Sequence, residues 1–256
     1  MKTSSLFAFV AFLLFGCGAP DVQPTPVPSM ADDEAIVGGT PTTGDPSVVA
    51  LYGAVPGANQ GMLCTASVIS PTVLLTAAHC VSPAVVGEGL QYIALFGYDI
   101  TKPETQGDKI KVASVEWDPE FDVANLPNGH DIAVVILSKP TTVAPLPYNR
   151  EPLGAAMVGD SARLVGYGLS SGLFSKGAGV KREATVKLNS FDGKFVKTGT
   201  LFKKICSGDS GGPVFMNIHG RETIVGVNSF GMIFCLSTAS STRVDSYLEF
   251  IQQFVP

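Results

Sequence analysis

The sequence is poor in several features that would point to a particular kind of partner. Only 15% of its 256 residues are charged, and 22 Asp and Glu residues outnumber 17 Lys and Arg residues, which gives a net charge of −5. A nucleic-acid-binding face needs an excess of basic residues, so we expect no nucleic-acid partner. The three histidines and five cysteines form none of the clusters typical of metal sites. We therefore predict no metal ion and no other cofactor.

No apolar run is long enough to span a bilayer, which takes about 20 residues. The longest run extends from Leu6 to Phe15 and follows Lys2, a pattern typical of a signal peptide. We assign residues 1–16 to this signal peptide and expect the chain to be exported. Export would permit disulfide bonds.

The cysteine at the end of this run is a candidate lipid attachment site. The segment Leu14-Phe15-Gly16-Cys17 resembles the lipobox of bacterial lipoproteins, which implies cleavage before Cys17 and a lipid on its sulfur. The alternative is an ordinary signal peptide. Five cysteines leave one over in an exported protein, and lipidation of Cys17 would leave an even set of four. Residues 17–35 hold four prolines and an acidic run without apolar periodicity, which predicts a flexible tether or propeptide.

From residue 36 onward, short apolar runs rich in β-branched residues alternate with Gly, Pro and Asn. No helix-length pattern separates them, so we predict an all-β domain over residues 36–256, built as barrels or a sandwich. The end of the chain differs, because apolar residues there recur at helical spacing. They are Val244, Tyr247, Leu248, Ile251 and Val255. This pattern predicts a C-terminal helix packed on the body of the domain, with Asp245 and Ser246 favouring its start.

Chemistry is indicated first by Gly208-Asp209-Ser210-Gly211-Gly212-Pro213. Serine is a weak nucleophile unless a base accepts its proton, and neighbouring glycines allow backbone N–H groups to be aimed at a developing oxyanion. Three further segments precede it in the chain: Ile36-Val37-Gly38-Gly39, Leu75-Thr76-Ala77-Ala78-His79-Cys80 and Asp131-Ile132-Ala133-Val134. In this order and over residues 36–256, the four segments closely resemble the chymotrypsin/trypsin family of serine proteases.

The resemblance implies a fold and an activity. The fold is two packed antiparallel six-stranded β-barrels with a C-terminal α-helix, and the activity is hydrolysis of protein or peptide substrates by a serine endopeptidase. By resemblance, Ser210 is the nucleophile, His79 the general base and Asp131 the acid that orients the histidine, while the N–H groups of Gly208 and Ser210 form the oxyanion hole. A catalytically silent binding protein on the same scaffold and an adhesive surface lipoprotein are the alternatives.

The resemblance also assigns the four cysteines other than Cys17. Spacing alone leaves three connectivities open, whereas the family pattern implies the pairs Cys64–Cys80 and Cys206–Cys235. The other disulfides common in animal members have no counterparts here, which suits a bacterial lineage.

Activation of a proenzyme is a further implication. In the family, cleavage before the Ile-Val-Gly-Gly segment frees an ammonium that pairs with the acid preceding the serine, here Ile36 with Asp209. The residue before the cut is Ala35, so we predict an activating protease without trypsin-like specificity. If Cys17 carries the only anchor, the cut would release the enzyme from the membrane to the periplasm or the extracellular space.

The residue expected at the base of the substrate pocket is Lys204, where trypsin-like members have an aspartate. A lysine there disfavours Arg or Lys at P1, the substrate residue before the cleaved bond. It leaves two alternatives: an acidic P1 residue attracted by the ammonium, or a small or apolar one beside Ile205. The segment expected to pair with the substrate backbone consists of Ser229, Phe230 and Gly231.

Overall fold

The regular structure consists mainly of short antiparallel strands. The computed structural model describes residues 36, 38–58, 60–170, 177–200, 203–230 and 239–255. A two-residue strand, β1 (Thr40–Pro41), precedes six strands that close into a first barrel. These are β2 (Val48–Ala54), β3 (Met62–Ser70), β4 (Val73–Thr76), β5 (Gln91–Gly97), β6 (Gln106–Trp117) and β7 (Ala133–Leu137). They are hydrogen-bonded in the order β2-β3-β4-β7-β6-β5.

A second ring of six strands follows. Its members are β8 (Ser161–Gly166), β9 (Arg182–Phe191), β10 (Phe195–Thr198), β11 (Pro213–Ile218), β12 (Arg221–Phe230) and β13 (Ala239–Arg243). The order β9-β10-β13-β12-β11-β8 closes because β8 also pairs with β9, and β1 joins the outside of this ring through β9. The predicted fold of two six-stranded antiparallel barrels is therefore confirmed.

Alternating polarity gives each barrel its apolar interior. In β9, Ala184, Val186 and Leu188 are buried while Thr185 and Lys187 are exposed, the two-residue period of a strand with one face inward. The second barrel has its own apolar core. The core of the first barrel extends into the second, because side chains such as those of Tyr167 and Phe215 belong to the same buried cluster. This shared cluster packs the two barrels together.

Helices are short. One turn, α1 (Pro83–Val86), follows β4, and α2 (Leu248–Gln252) follows a 3₁₀ turn at Asp245–Tyr247. Among the described residues, no helix has both the length and the apolar character needed to cross a membrane.

The C-terminal helix is only partly as predicted. Val244 and Ile251 are buried in the core of the first barrel, so the expected packing on the body of the domain is confirmed. Helical structure starts at Asp245, with this acid in the first 3₁₀ turn as predicted, but no side chain caps either that turn or α2. Asp245 instead pairs with Arg243, and the Ser246 hydroxyl donates to the Gly193 carbonyl. Arg243, the last residue of β13, and Gly193, in the turn between β9 and β10, therefore take the polar atoms expected to cap the helix.

Candidate active site

His79 and Asp131 lie at the same end of the first barrel. His79 belongs to a 3₁₀ turn, Ala78–Cys80, just after β4, and Asp131 lies just before β7. Because β4 and β7 are paired, the two loops meet. The His79 Nδ1 atom lies 2.7 Å from Asp131 Oδ2, and the His79 backbone N–H donates to Oδ1 at 2.9 Å. Both carboxylate oxygens are thus used to set the position of one histidine.

Asp131 is fully buried, yet it is kept ionised. Burial alone would raise its pKa, but the hydrogen bond and charge of His79, together with a hydrogen bond from Ser229, lower it below the ordinary 3.8. The Ser229 hydroxyl donates to Oδ2, and the Thr242 hydroxyl donates to the Asp131 carbonyl at 2.9 Å. The second barrel therefore contributes two hydroxyl groups that fix this residue.

The loop that contains Ser210 lies against the strands that precede His79. The Ser210 carbonyl accepts a hydrogen bond from the Thr65 N–H at 2.8 Å. The next residue, Gly211, has φ of +80°, and a Cβ there would lie 2.0 Å from Thr76 Oγ1, three residues before His79. Only glycine allows this approach. Within the described residues no hydrogen bond joins Ser210 to His79, and such bonds are often long in enzymes without substrate.

The backbone around Ser210 leaves two donors available. In the described part of the chain, the N–H groups of Gly208 and Ser210 have no hydrogen-bond acceptor. Gly208 has φ of +95°, and a Cβ there would lie 2.7 Å from the Cα atom of Gly168. An oxyanion formed by attack of Ser210 on a carbonyl would need two such unpaired backbone donors.

Asp209 points away from these donors into the second barrel, where it is fully buried. Its oxygens accept from the N–H groups of Gly168 at 2.9 Å and Cys206 at 2.8 Å. Burial raises the pKa of Asp209 from 3.8 to about 7, although these two N–H groups oppose the rise. The positive charge of Arg182 and a hydrogen bond from the Ile36 N–H oppose it as well.

Ile36 is therefore beside Asp209. Its side chain is buried in the core of the second barrel, and its backbone has φ of +49°, in the left-handed region. That region is unfavourable for a β-branched residue. The structure brings together the two residues that the sequence predicts as an activation pair.

The predicted pocket residues are only partly described. Lys204 and Ile205 are both buried, with 3% and 8% of their surface exposed. Phe230 packs edge-on against Phe195 with ring centroids 5.3 Å apart. Gly231 lies outside the described residues.

The cysteines have a similarly partial account. Cys64 and Cys80 form a disulfide bond that flanks His79, and Cys206 is also disulfide-bonded. The sulfur atoms of Cys64 and Cys80 lie close to the ring of His79, but sulfurs joined in a disulfide are not available as thiolate metal ligands. Cys235 and Cys17 lie outside the described residues, as do the predicted signal peptide and tether.

Sequence reasoning missed the polar residues that surround the site. Thr65 and Thr242 contact the loops of Ser210 and Asp131. The hydroxyl of Ser229, a residue predicted from the sequence to pair with substrate through its backbone, contacts Asp131. The only sequence signal for Thr65 is its place next to Cys64, whose partner Cys80 adjoins His79.

Comparison with known proteins agrees with this geometry. The chain matches the family described as Trypsin over residues 36–251. It is 30% identical over 208 residues to a chymotrypsin of Phaedon cochleariae, covering 74% of this chain and 71% of that protein. It is 29% identical over 204 residues to brachyurin of Leptuca pugilator, covering 74% and 86%. It is also 24% identical over 272 residues to chymotrypsin-like elastase family member 1 of Bos taurus, covering 98% of each. With a family match over residues 36–251, and with two barrels that bring a histidine onto a buried acid, the chain belongs to the trypsin family and is a serine endopeptidase.

Proposed function

We propose that the chain cleaves peptide bonds through Ser210, His79 and Asp131. The Ser210 Oγ attacks the substrate carbonyl carbon while its proton passes to His79 Nε2, and the N–H groups of Gly208 and Ser210 donate to the resulting oxyanion. The C–N bond then breaks, the leaving amine takes the proton, and an ester remains on Ser210. Water repeats the sequence and frees the acid. The observation that carries this proposal is the 2.7 Å contact between His79 Nδ1 and the buried Asp131.

In this proposal the chain is made as a proenzyme. Cleavage before Ile36 replaces a neutral N–H beside Asp209 with an ammonium, which pairs with the buried carboxylate and orders the loop of Gly208 and Ser210. Ala35 at the cut favours an activating protease without trypsin-like specificity.

The proposal includes export and an anchor. Residues 1–16 direct export, Cys17 carries a lipid, and residues 17–35 tether the domain until the cut before Ile36 releases it. The support for this part is the sequence pattern of the first 35 residues.

A covalent probe tests the activity. We expect an organophosphonate to label the processed chain at Ser210, with the Ser210 Oγ bonded to phosphorus, and mass spectrometry to locate the label. The variant Ser210→Ala should lose both the label and proteolysis of casein. The exposed Ser138 provides the control, since Ser138→Ala should retain both. A wild-type chain that is cut before Ile36, is folded, and is neither labelled nor proteolytic would contradict the proposal and favour a silent binding protein.

Substrate preference is tested with four peptide nitroanilides that have Ala, Phe, Glu or Lys at P1. The buried Lys204 disfavours a cationic P1 side chain, because like charges in a partly desolvated pocket repel by several kcal/mol at close range. We expect kcat/KM for Lys to be at least about tenfold below the best of the other three. The variant Lys204→Met separates the two alternatives: it should selectively lower cleavage after Glu if the ammonium binds acidic side chains, and should not if the pocket is apolar. Efficient wild-type cleavage after Lys would contradict this assignment.

A further inference from the structure

One buried threonine of the first barrel contacts the candidate oxyanion loop of the second barrel at two points. The Thr65 hydroxyl donates to the Gly208 carbonyl at 2.8 Å, across 143 positions of sequence. The Thr65 N–H donates to the Ser210 carbonyl at 2.8 Å. Thr65 itself has no exposed surface. Thr65 therefore restrains the carbonyls of both Gly208 and Ser210, the two residues whose N–H groups have no acceptor in the described part of the chain.

The hydroxyl is held in place by a second hydrogen bond. A threonine hydroxyl has one proton to donate and lone pairs to accept with. Here it accepts from the Tyr167 N–H at 3.1 Å, so its own proton is directed at Gly208. A methyl group in the same position would make neither bond.

Gly208 needs such a restraint. Glycine populates positive and negative φ about equally well, so Gly208 itself offers little resistance to turning of the peptide group that joins it to Asp209. The N–H of this peptide group donates to the Cys206 carbonyl at 3.0 Å, and its carbonyl is the one that accepts from Thr65. A turn of this peptide group would change ψ of Gly208 and φ of Asp209, and so would move the Ser210 N–H relative to the Gly208 N–H. The Thr65 hydroxyl opposes this rotation, because it holds the carbonyl of that same peptide bond.

The other side of Thr65 contacts the histidine segment. The Thr65 carbonyl accepts from the Thr76 hydroxyl at 2.9 Å, three residues before His79. The hydrogen bonds of Thr65 thus connect the segment that ends in His79 with the loop that contains Ser210.

We propose that Thr65 is a positioning residue for the oxyanion loop, acting through its hydroxyl on the Gly208 carbonyl. The inference rests on the proposed function, since it assumes that the Gly208 and Ser210 N–H groups bind the oxyanion. Thr65 does not touch substrate. Its contribution is to keep both donors in the direction that the tetrahedral intermediate requires.

Three variants of Thr65, studied in the full chain after cleavage before Ile36 at an engineered protease site, test this. Thr65→Val replaces the hydroxyl with a methyl group, Thr65→Ser retains it, and Thr65→Ala differs from Thr65→Ser by the hydroxyl alone. We expect Thr65→Val and Thr65→Ala to lower kcat about tenfold or more with KM nearly unchanged, below the roughly 100- to 1000-fold typical of losing an oxyanion donor outright. Thr65→Ser should retain most of the activity. Rates are normalised to active sites titrated by the organophosphonate.

A transition-state analogue separates positioning from folding. A peptide aldehyde forms a tetrahedral adduct with its oxygen in the oxyanion hole, so its Ki should rise with the fall in kcat/KM. The Ki of the product acid of the same peptide should not. Ser47→Ala, which removes another buried hydroxyl hydrogen bond outside the site, is the control and should leave kcat unchanged.

The outcomes distinguish the two proposals. A wild-type chain that neither cleaves nor reacts with the probe overturns the proposed function and this inference with it. An active wild type with Thr65→Val or Thr65→Ala within twofold in kcat overturns only the inference. So does an aldehyde Ki that changes no more than the product Ki. If Thr65→Val does not fold, the comparison of Thr65→Ser with Thr65→Ala decides.

Discussion

Replacement of Asp131 by Asn is expected to lower kcat at pH 7 by about 10⁴-fold, the loss typical when the acid of a serine-protease triad becomes an amide. The carboxylate accepts from the His79 ring, the His79 backbone and the Ser229 hydroxyl. An amide has only one acceptor oxygen, so its NH₂ group must face a donor or turn the ring to the wrong tautomer. Steady-state kinetics on active-site-titrated enzyme measure the change.

A second acid that contacts a histidine is the matched control. Asp118 is nearly buried, and its Oδ1 lies 3.1 Å from His130 Nδ1, outside the site. If the loss in Asp131→Asn comes from the catalytic role of Asp131, and not from the loss of any buried carboxylate beside a histidine, Asp118→Asn should change kcat by less than about threefold. Equal losses in the two variants, or a small loss in Asp131→Asn, would contradict the assignment of Asp131.

The second large effect concerns the position of the new amino terminus. A chain that begins at Ile36 should be about 100- to 4000-fold more active than one that begins at Ala35, since a buried acid deprived of its partner costs about 3–5 kcal/mol, and each 1.4 kcal/mol is a factor of ten. Only in the first chain does the ammonium occupy the place where the Ile36 N–H contacts Asp209. The measurement is kcat/KM after complete cleavage, with N-terminal sequencing to verify the cut.

Both chains can be made from the full-length protein with an enteropeptidase site, Asp-Asp-Asp-Asp-Lys, placed in two registers. Asp32 and Asp33 already supply part of it. Cleavage before Ile36 follows from Ala31→Asp, Glu34→Asp and Ala35→Lys. Cleavage before Ala35 follows from Met30→Asp, Ala31→Asp and Glu34→Lys. Equal activity of the two products would overturn the activation proposal without affecting the triad.

The buried carboxyl group of Asp209 makes the stability of the uncut chain sensitive to pH. Its folded pKa, raised from 3.8 to about 7, means that the folded state retains a proton that the unfolded state loses. The associated stability is present below pH 4 and is lost as pH rises to about 7, by roughly 4 kcal/mol at 1.36 kcal/mol per pKa unit. The free energy of unfolding in urea, measured at pH 4.5 and 7.5, should show this decline in the uncut chain. The difference between the two pH values should be smaller in Asp209→Asn, and smaller in the chain cleaved before Ile36.

Local motifs indicated the candidate catalytic residues and their order because short segments with special backbone requirements contain them. His79, Asp131 and Ser210 each occur in such a segment. The β-rich pattern between them predicted barrels or a sandwich, and the family resemblance implied the two barrels. The surrounding hydroxyl groups were not predictable in this way. Thr65 and Gly208 contact each other only after two barrels have closed, and nothing in the local sequence of either residue records the contact.

For the C-terminal helix the sequence pattern predicted the buried face correctly, but the regular α-helix inferred from it is longer than the one observed. Apolar spacing placed Val244 and Ile251 on the buried face, but helical geometry starts as a 3₁₀ turn and α2 has only five residues. Asp245 lies in the first turn, as expected, but its carboxylate pairs with Arg243, two residues earlier, and caps no backbone N–H of the helix.

The left-handed backbone of Ile36 has a consequence for the direction of activation. A φ angle is a rotation defined by the carbonyl carbon of the preceding residue, and Ile36 at +49° crowds its branched side chain against that peptide group. Such residues store on the order of 1–3 kcal/mol. Hydrolysis of the bond before Ile36 removes the preceding carbonyl and with it the angle itself. In the proposed activation, the product can keep the same position for its side chain without the torsional penalty. Relief of the strain then favours cleavage over re-ligation by about 5- to 150-fold.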